Sequence, residues 1–145
     1  MKRKPTVNFI SAVFIFLFTY TATSKLVAFT SFQSTLHKLP VVGASSPVLA
    51  VLLPLSELVI ASLLFFPATR KAGALASFAI MLLFTAYIGW AILLDVKLPC
   101  SCGGILQSLN WRQHLWLNLF LTLVAWIMVS MQKKTPEAES NFSLQ

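Results

Sequence analysis

The sequence is poor in charge, and above all in acidic charge. Only 10% of its 145 residues are Asp, Glu, Lys or Arg, with four acidic residues against eleven basic ones. Soluble domains contain about 25% charged residues, so this composition excludes an ordinary water-soluble globular fold. There are also only two cysteines. That number excludes a disulfide-rich scaffold but allows one redox pair or half of a metal site.

Apolar residues take the place of the missing charge. The chain is 57% hydrophobic and has a mean hydropathy of +0.80. Four apolar runs, at residues 7–24, 47–66, 72–94 and 115–131, are each stopped by charge, Pro or Gly, and about 20 residues of helix cross a bilayer. No alternating pattern indicates a barrel. The sequence therefore predicts an all-α polytopic membrane protein, a four-transmembrane-helix bundle over residues 7–131.

The basic residues between the runs predict the orientation of the bundle. Seven lie on one side of the membrane and four on the other. The first set is Lys2, Arg3, Lys4, Arg70, Lys71, Lys133 and Lys134, and the second is Lys25, Lys38, Lys97 and Arg112. Cytoplasmic loops carry the excess of Lys and Arg, so both termini are expected in the cytoplasm, as a basic segment 1–6 and a disordered tail 132–145. The net charge of +7 then reflects orientation and contact with anionic lipid, with no nucleic acid as partner.

The first apolar run also has an alternative interpretation as a signal peptide. Basic residues precede it, and the small residues Thr21 to Ser24 follow its apolar core, as in cleavable signals. Cleavage would leave three spans instead of four.

Both cysteines fall in the second loop on the exoplasmic, oxidising side. They form the segment PCSCGG at residues 99–104. Two extended residues span up to about 7 Å, so Cys100 and Cys102 can reach a disulfide within a small, strained ring. Strained and exposed disulfides are the ones that exchange readily. Arg112 and His114 follow, and a cation there would favour the thiolate, although both also fit an interfacial belt.

Three states of the cysteine pair remain open from the residues alone. The pair is a redox couple, an inert local disulfide or two free thiols, or part of a metal site completed by His37 and His114. Thiolates and imidazoles suit zinc or copper(I). Nothing in the spacing favours such a site, and we assign no metal ligands.

Glu57 is an acidic residue in the middle of the second span. A charge at the bilayer centre costs about 2.5 to 3.5 kcal/mol on insertion scales, so Glu57 should face the bundle interior as a proton relay, a ligand contact or a structural lock. Lys25 is its natural counter-ion, but counting from residue 7 places Lys25 roughly 10 Å or more away along the membrane normal. A direct pair then needs tilt, a later helix start or a bridging water. Thr85 and Tyr87 are polar neighbours at comparable depth.

Together these features resemble the MauE-like branch of the DoxX-like integral membrane protein family. The residues that carry the resemblance are Ser24-Lys25-Leu26, Pro54-Leu55-Ser56-Glu57-Leu58, Phe84-Thr85-Ala86-Tyr87-Ile88, Pro99-Cys100-Ser101-Cys102-Gly103-Gly104 and Arg112-Gln113-His114-Leu115-Trp116-Leu117-Asn118. The resemblance implies a four-helix bundle in the bacterial inner membrane, with Cys100 and Cys102 as a periplasmic thiol pair. It also implies a role in methylamine utilisation, in maturing the disulfide-rich small subunit of periplasmic methylamine dehydrogenase.

The leading functional hypothesis is thiol–disulfide exchange with an exported cysteine-containing protein or a periplasmic redox protein, with a quinone or a second redox protein as electron acceptor. Membrane oxidoreductases of the DsbB and VKOR types use four cysteines, and this chain has two, so whether it is itself an enzyme stays open. One alternative is a non-catalytic assembly or docking protein. Another is a transporter of a small solute or metal ion with Glu57 in the path.

Overall fold

The computed structural model describes residues 3–94 and 110–133. Its elements are α1 (Arg3–Val27), α2 (Phe29–His37), a 3-10 turn (Gly43–Ser45), α3 (Ser46–Phe65), α4 (Arg70–Leu93) and α5 (Trp111–Lys133). Cys100, Cys102 and residues 134–145 lie outside the described residues. The disorder predicted for 132–145 is wrong for Gln132 and Lys133, which belong to α5.

Four helices in the described ranges are long and apolar enough to cross a membrane. They cover Pro5–Val27, Gly43–Phe65, Arg70–Leu93 and Arg112–Gln132. This confirms the all-α prediction with four candidate spans, although the first and last helices run several residues beyond the predicted limits. The orientation of the termini stays a prediction.

Proline and its neighbours account for the limits of α3. Pro47 lies in the first turn, where its missing N–H costs no helical hydrogen bond. Phe66 ends the helix in an extended conformation, with φ −84° and ψ 125°, because the following Pro67 disfavours the helical region for its predecessor. Pro54 is buried inside the helix and removes one hydrogen bond within it.

The bundle core is built from large apolar side chains on the spanning helices. Phe14 and Phe18 of α1 pack with Leu64 of α3 and Met128 of α5. Gly73 of α4 allows a close approach to α3, since a Cβ atom there would lie 2.8 Å from the Leu64 backbone nitrogen. Small residues at such interfaces let membrane helices pack tightly.

The short helix α2 lies where the sequence reading expected only a loop. Its Phe32 and Leu36 are buried against Ala50 of α3, while Thr30 and Ser34 on the other face are exposed. The spacing of Phe29, Phe32 and Leu36 is the helical signal in this segment. Because α1 continues to Val27 before α2 begins, Lys25 is a helix residue and does not belong to an exoplasmic loop.

Contacts between helices define two ends of the bundle. At one end, Arg70 at the start of α4 donates to the Asn8 side chain at 2.6 Å. Toward the other end, Tyr87 of α4 donates to the carbonyl of Pro40, between α2 and α3, at 3.1 Å. We call this second end the loop end. There α1 and α4 finish and α3 and α5 begin.

Candidate functional site

An ion pair joins α1 to α3 inside the bundle. Lys25 Nζ donates to Glu57 Oε1 at 2.5 Å, and the two side chains are only 11% and 3% exposed. The contact is direct, so no bridging water is needed to join the two residues. The flexible four-carbon stem of lysine covers part of the separation that residue counting predicted, and the way in which α1 lies against α3 covers the rest.

The Lys25 ammonium also faces an aromatic ring. Its nitrogen lies 5.9 Å from the ring centroid of Phe32, within the range of cation–π attraction. The ammonium therefore lies near both a carboxylate and an aromatic ring. Phe32 had no place in the sequence-based site, because the segment that carries it was not recognised as a helix.

Glu57 has one oxygen engaged and one available. Among the described residues, Oε2 is buried and makes no hydrogen bond. The Thr21 side chain lies beside the carboxylate, but its hydroxyl donates to the Phe18 carbonyl at 3.2 Å. A buried acceptor without a donor is costly, so Oε2 is the atom of this site with unused bonding capacity.

His114 brings α5 into the same site. It lies one turn into that helix, is half-buried, and is close enough to Lys25 for their charges to interact. The His114 carbonyl accepts a hydrogen bond from Asn118 Nδ2 at 2.9 Å, which ties this turn to the next. The structure thus joins Lys25 of α1 directly to Glu57 of α3, with His114 of α5 within electrostatic range of Lys25.

The comparisons with known proteins bear on this same stretch of chain. The family model for methylamine utilisation protein MauE matches residues 3–131. This chain belongs to the MauE family. The match includes all four candidate spans, the Lys25, Glu57 and His114 site and the cysteine segment, and it suggests a role in methylamine utilisation. No curated protein and no solved structure matches the chain.

Tyr87 makes a different contact in this MauE family member from the one that its predicted depth suggested. Its hydroxyl donates to the carbonyl of Pro40, and its ring lies 5.9 Å from that of Trp90. The residue is close to the C-terminal end of α4 and therefore reaches the connection between α2 and α3. Tyr87 thus holds that connection, whereas the ion-pair partner of Glu57 within the described helices is Lys25.

Thr85 likewise pairs away from Glu57. Its hydroxyl lies 3.0 Å from that of Thr122 on α5, and each hydroxyl also donates to a carbonyl of its own helix. Such hydroxyl bridges hold spanning helices together. Sequence reasoning missed Thr122, because a threonine in an apolar run gives no signal of its partner.

The remaining predicted site residues are divided between the described helices and the segment outside them. Arg112 is exposed at the start of α5. His37 Nδ1 lies 3.3 Å from the Gly43 carbonyl and 3.5 Å from the Ser46 hydroxyl. No group of three His, Cys, Asp or Glu side chains that could hold a metal occurs among residues 3–94 and 110–133. Cys100 and Cys102 fall outside those ranges.

Proposed function

We propose that this MauE family member assists thiol–disulfide exchange in an exported partner during methylamine utilisation. The Cys-x-Cys segment carries the proposal. It is part of the connection between Leu93 and Trp111, and both of these residues lie at the loop end. The buried ion pair joins Lys25, two residues before the end of α1 at that same loop end, to Glu57 in the middle of α3. We place this end on the periplasmic side of the inner membrane, in keeping with the excess of Lys and Arg at the opposite side.

The exchange itself proceeds from an oxidised Cys100–Cys102 pair. A partner thiolate attacks one sulfur of this disulfide, and the other sulfur leaves as a thiolate. A second partner thiolate then attacks the mixed disulfide, which closes the partner disulfide and releases the Cys100 and Cys102 dithiol. Two electrons and two protons have left the partner. A membrane quinone accepts both electrons and both protons when it reoxidises the pair, and becomes a quinol.

The partner that fits this chemistry is an exported protein with many cysteines, such as the small subunit of a methylamine dehydrogenase. A three-residue disulfide ring gives little chain-entropy stabilisation, about 1.6 kcal/mol before strain, against about 3 for a fifteen-residue loop. The Cys100–Cys102 bond is therefore a poor structural brace and a good oxidant. Either cysteine of the pair can accept the attack, and the test below separates them.

The test measures oxidation of the dehydrogenase subunit, and traps its mixed disulfide with this protein, in intact cells that express both proteins. Cys100→Ser and Cys102→Ser, made singly, should each abolish oxidation of the subunit. In one of them the remaining cysteine thiolate should attack a disulfide already present in the subunit, release a subunit thiolate and accumulate as a mixed disulfide that reductant dissolves. Ser101→Ala, between the two cysteines, is the matched control and should oxidise the subunit normally. Membrane-impermeant thiol reagents should label the reduced pair from outside.

Two results would contradict the proposal. Normal subunit oxidation in the double Ser variant would indicate a docking or assembly role that needs no cysteine. Labelling by permeant reagents only would put the segment on the cytoplasmic side, where the exported partner is absent.

A further inference from the structure

We propose that Lys25, Glu57 and His114 form a proton-transfer site inside the bundle, with Glu57 Oε2 as the atom that accepts the proton. This inference deepens the proposed function, because reoxidation of a dithiol by a quinone moves two protons as well as two electrons. The site would supply a path for those protons within the membrane.

The state of the two Glu57 oxygens supports this assignment. Lys25 Nζ donates to Oε1, while Oε2 makes no hydrogen bond within the described residues and the Thr21 hydroxyl lies beside the carboxylate. A purely structural ion pair is stable when its remaining lone pairs are also satisfied. Here one carboxylate oxygen stays open in an otherwise buried position, so a proton or a donor molecule such as water can bind there.

The three side chains together have the composition that proton transfer needs. A carboxylate, an ammonium and an imidazole share one low-dielectric region, because Lys25 contacts Glu57 directly and interacts electrostatically with His114. A proton that binds to one of these groups changes the electric field at the others. His114 is half-buried near the start of α5, which makes it the member nearest to the cysteine segment along the chain.

Other titratable groups on the surrounding helices make contacts of their own or are exposed. On α1, the Tyr20 ring stacks against Phe16. On α2, His37 contacts the start of α3. On α4, Arg70 binds Asn8 and Tyr87 binds the connection before α3, while Lys71 is exposed. Among the described residues, the Glu57 carboxylate interacts with the Lys25 ammonium and the Thr21 hydroxyl, and Lys25 also interacts with His114.

The test is infrared difference spectroscopy of the purified full chain in lipid bilayers, stepped through pH. The wild type should show a protonated carboxyl band that is absent in Glu57→Gln and present in Asp95→Asn, the matched control that removes another carboxylate. Lys25→Met and His114→Gln should each displace the midpoint of that band by about one pH unit or more. The band should persist when both cysteines are replaced by Ser.

His114→Gln keeps the test decisive if Glu57→Gln fails to insert, because it alters a half-buried position in the first turns of α5. The inference would be overturned if the midpoint of the Glu57 band in Lys25→Met and in His114→Gln were the same as in the wild type. So would the absence of any carboxyl band that depends on Glu57.

A second measurement separates this inference from the proposed function. The rate of Cys100 and Cys102 oxidation by a soluble quinone is followed against pH in the wild type and in Glu57→Gln. A changed pH profile in Glu57→Gln supports the proton site. An unchanged profile with normal oxidation refutes the proton site and leaves the exchange function standing. No oxidation in either protein refutes the exchange function, while the infrared titration still decides on the site.

Discussion

Removing Lys25 alone should destabilise the bundle far more than removing the whole ion pair. At the Nζ to Oε1 distance of 2.5 Å, the Coulomb attraction amounts to about 7 kcal/mol at an effective dielectric constant of about 20. Desolvation of the two ions costs several kcal/mol for each, so the net contribution of the pair is close to zero. Breaking the pair is different, because one buried charge is then left without compensation.

The two halves of the pair should not be equivalent. Lys25→Met leaves the Glu57 carboxylate, which is 3% exposed and twelve residues into α3, without a counter-ion. This substitution should lower the free energy of unfolding by about 3–5 kcal/mol. Glu57→Gln strands Lys25, which lies two residues from the end of α1 and can extend its stem toward the loop end. We expect a smaller cost, about 1–3 kcal/mol. The double variant Lys25→Met/Glu57→Gln should recover most of the loss.

The assay is reversible unfolding of the four proteins in the same bilayer or detergent, analysed as a double-mutant cycle. Lys38→Met is the control, since Lys38 is exposed after α2 and its replacement should stay within about 0.5 kcal/mol of wild type. Two results would refute the reasoning: a Lys25→Met variant as stable as Lys38→Met, or strictly additive effects in the double variant.

Three further perturbations test other contacts by the same unfolding assay. Gly73→Ala should lower the free energy of unfolding by about 1–3 kcal/mol, because its Cβ would lie 2.8 Å from an α3 backbone nitrogen. The control Gly89→Ala meets only a side chain at 4.0 Å and should be neutral or stabilising. Equal effects of the two substitutions would contradict the close approach at Gly73. Tyr87→Phe should lose one hydrogen bond, about 0.5–1.5 kcal/mol, and increase proteolysis between α2 and α3, and an unchanged cleavage rate would argue against that clamp. Thr85→Val and Thr122→Val should show a coupling of about 0.6 kcal/mol, and zero coupling would mean that their 3.0 Å contact is not stabilising.

The four spanning helices could be predicted from the sequence because the length and hydropathy of an apolar run determine whether it can cross a membrane. Twenty apolar residues bounded by charge or Pro have few alternatives in a bilayer, and the four runs correspond to α1, α3, α4 and α5. The short helix α2 was missed because its nine residues have too little apolar content for a span, and only their periodicity reveals an amphipathic face.

The site was predictable in its members but not in its geometry. Glu57 and Lys25 stand out in any apolar sequence, because a charge in a span has to be compensated. Their direct contact depends on how far α1 continues and how α3 lies against it, which residue counting along straight helices does not capture. The proximity of His114 to Lys25 is harder still to predict from the sequence. A connection of seventeen residues precedes α5, and packing sets the rotation of that helix about its axis.

Stability alone does not account for an ion pair in this position. Apolar side chains of similar volume would pack between α1 and α3 without the cost of desolvating two charges, and the surrounding core is already apolar, with Phe18 and Ala22 fully or almost fully buried. Two explanations remain: the pair fixes the register of the helices, or it takes part in proton transfer. The double variant Lys25→Met/Glu57→Gln separates them, because both explanations allow it to fold. If the quinone still oxidises Cys100 and Cys102 of this variant with the wild-type pH profile, the ion pair serves to fix the register of the helices. If the double variant folds but its pH profile changes, the ion pair takes part in proton transfer.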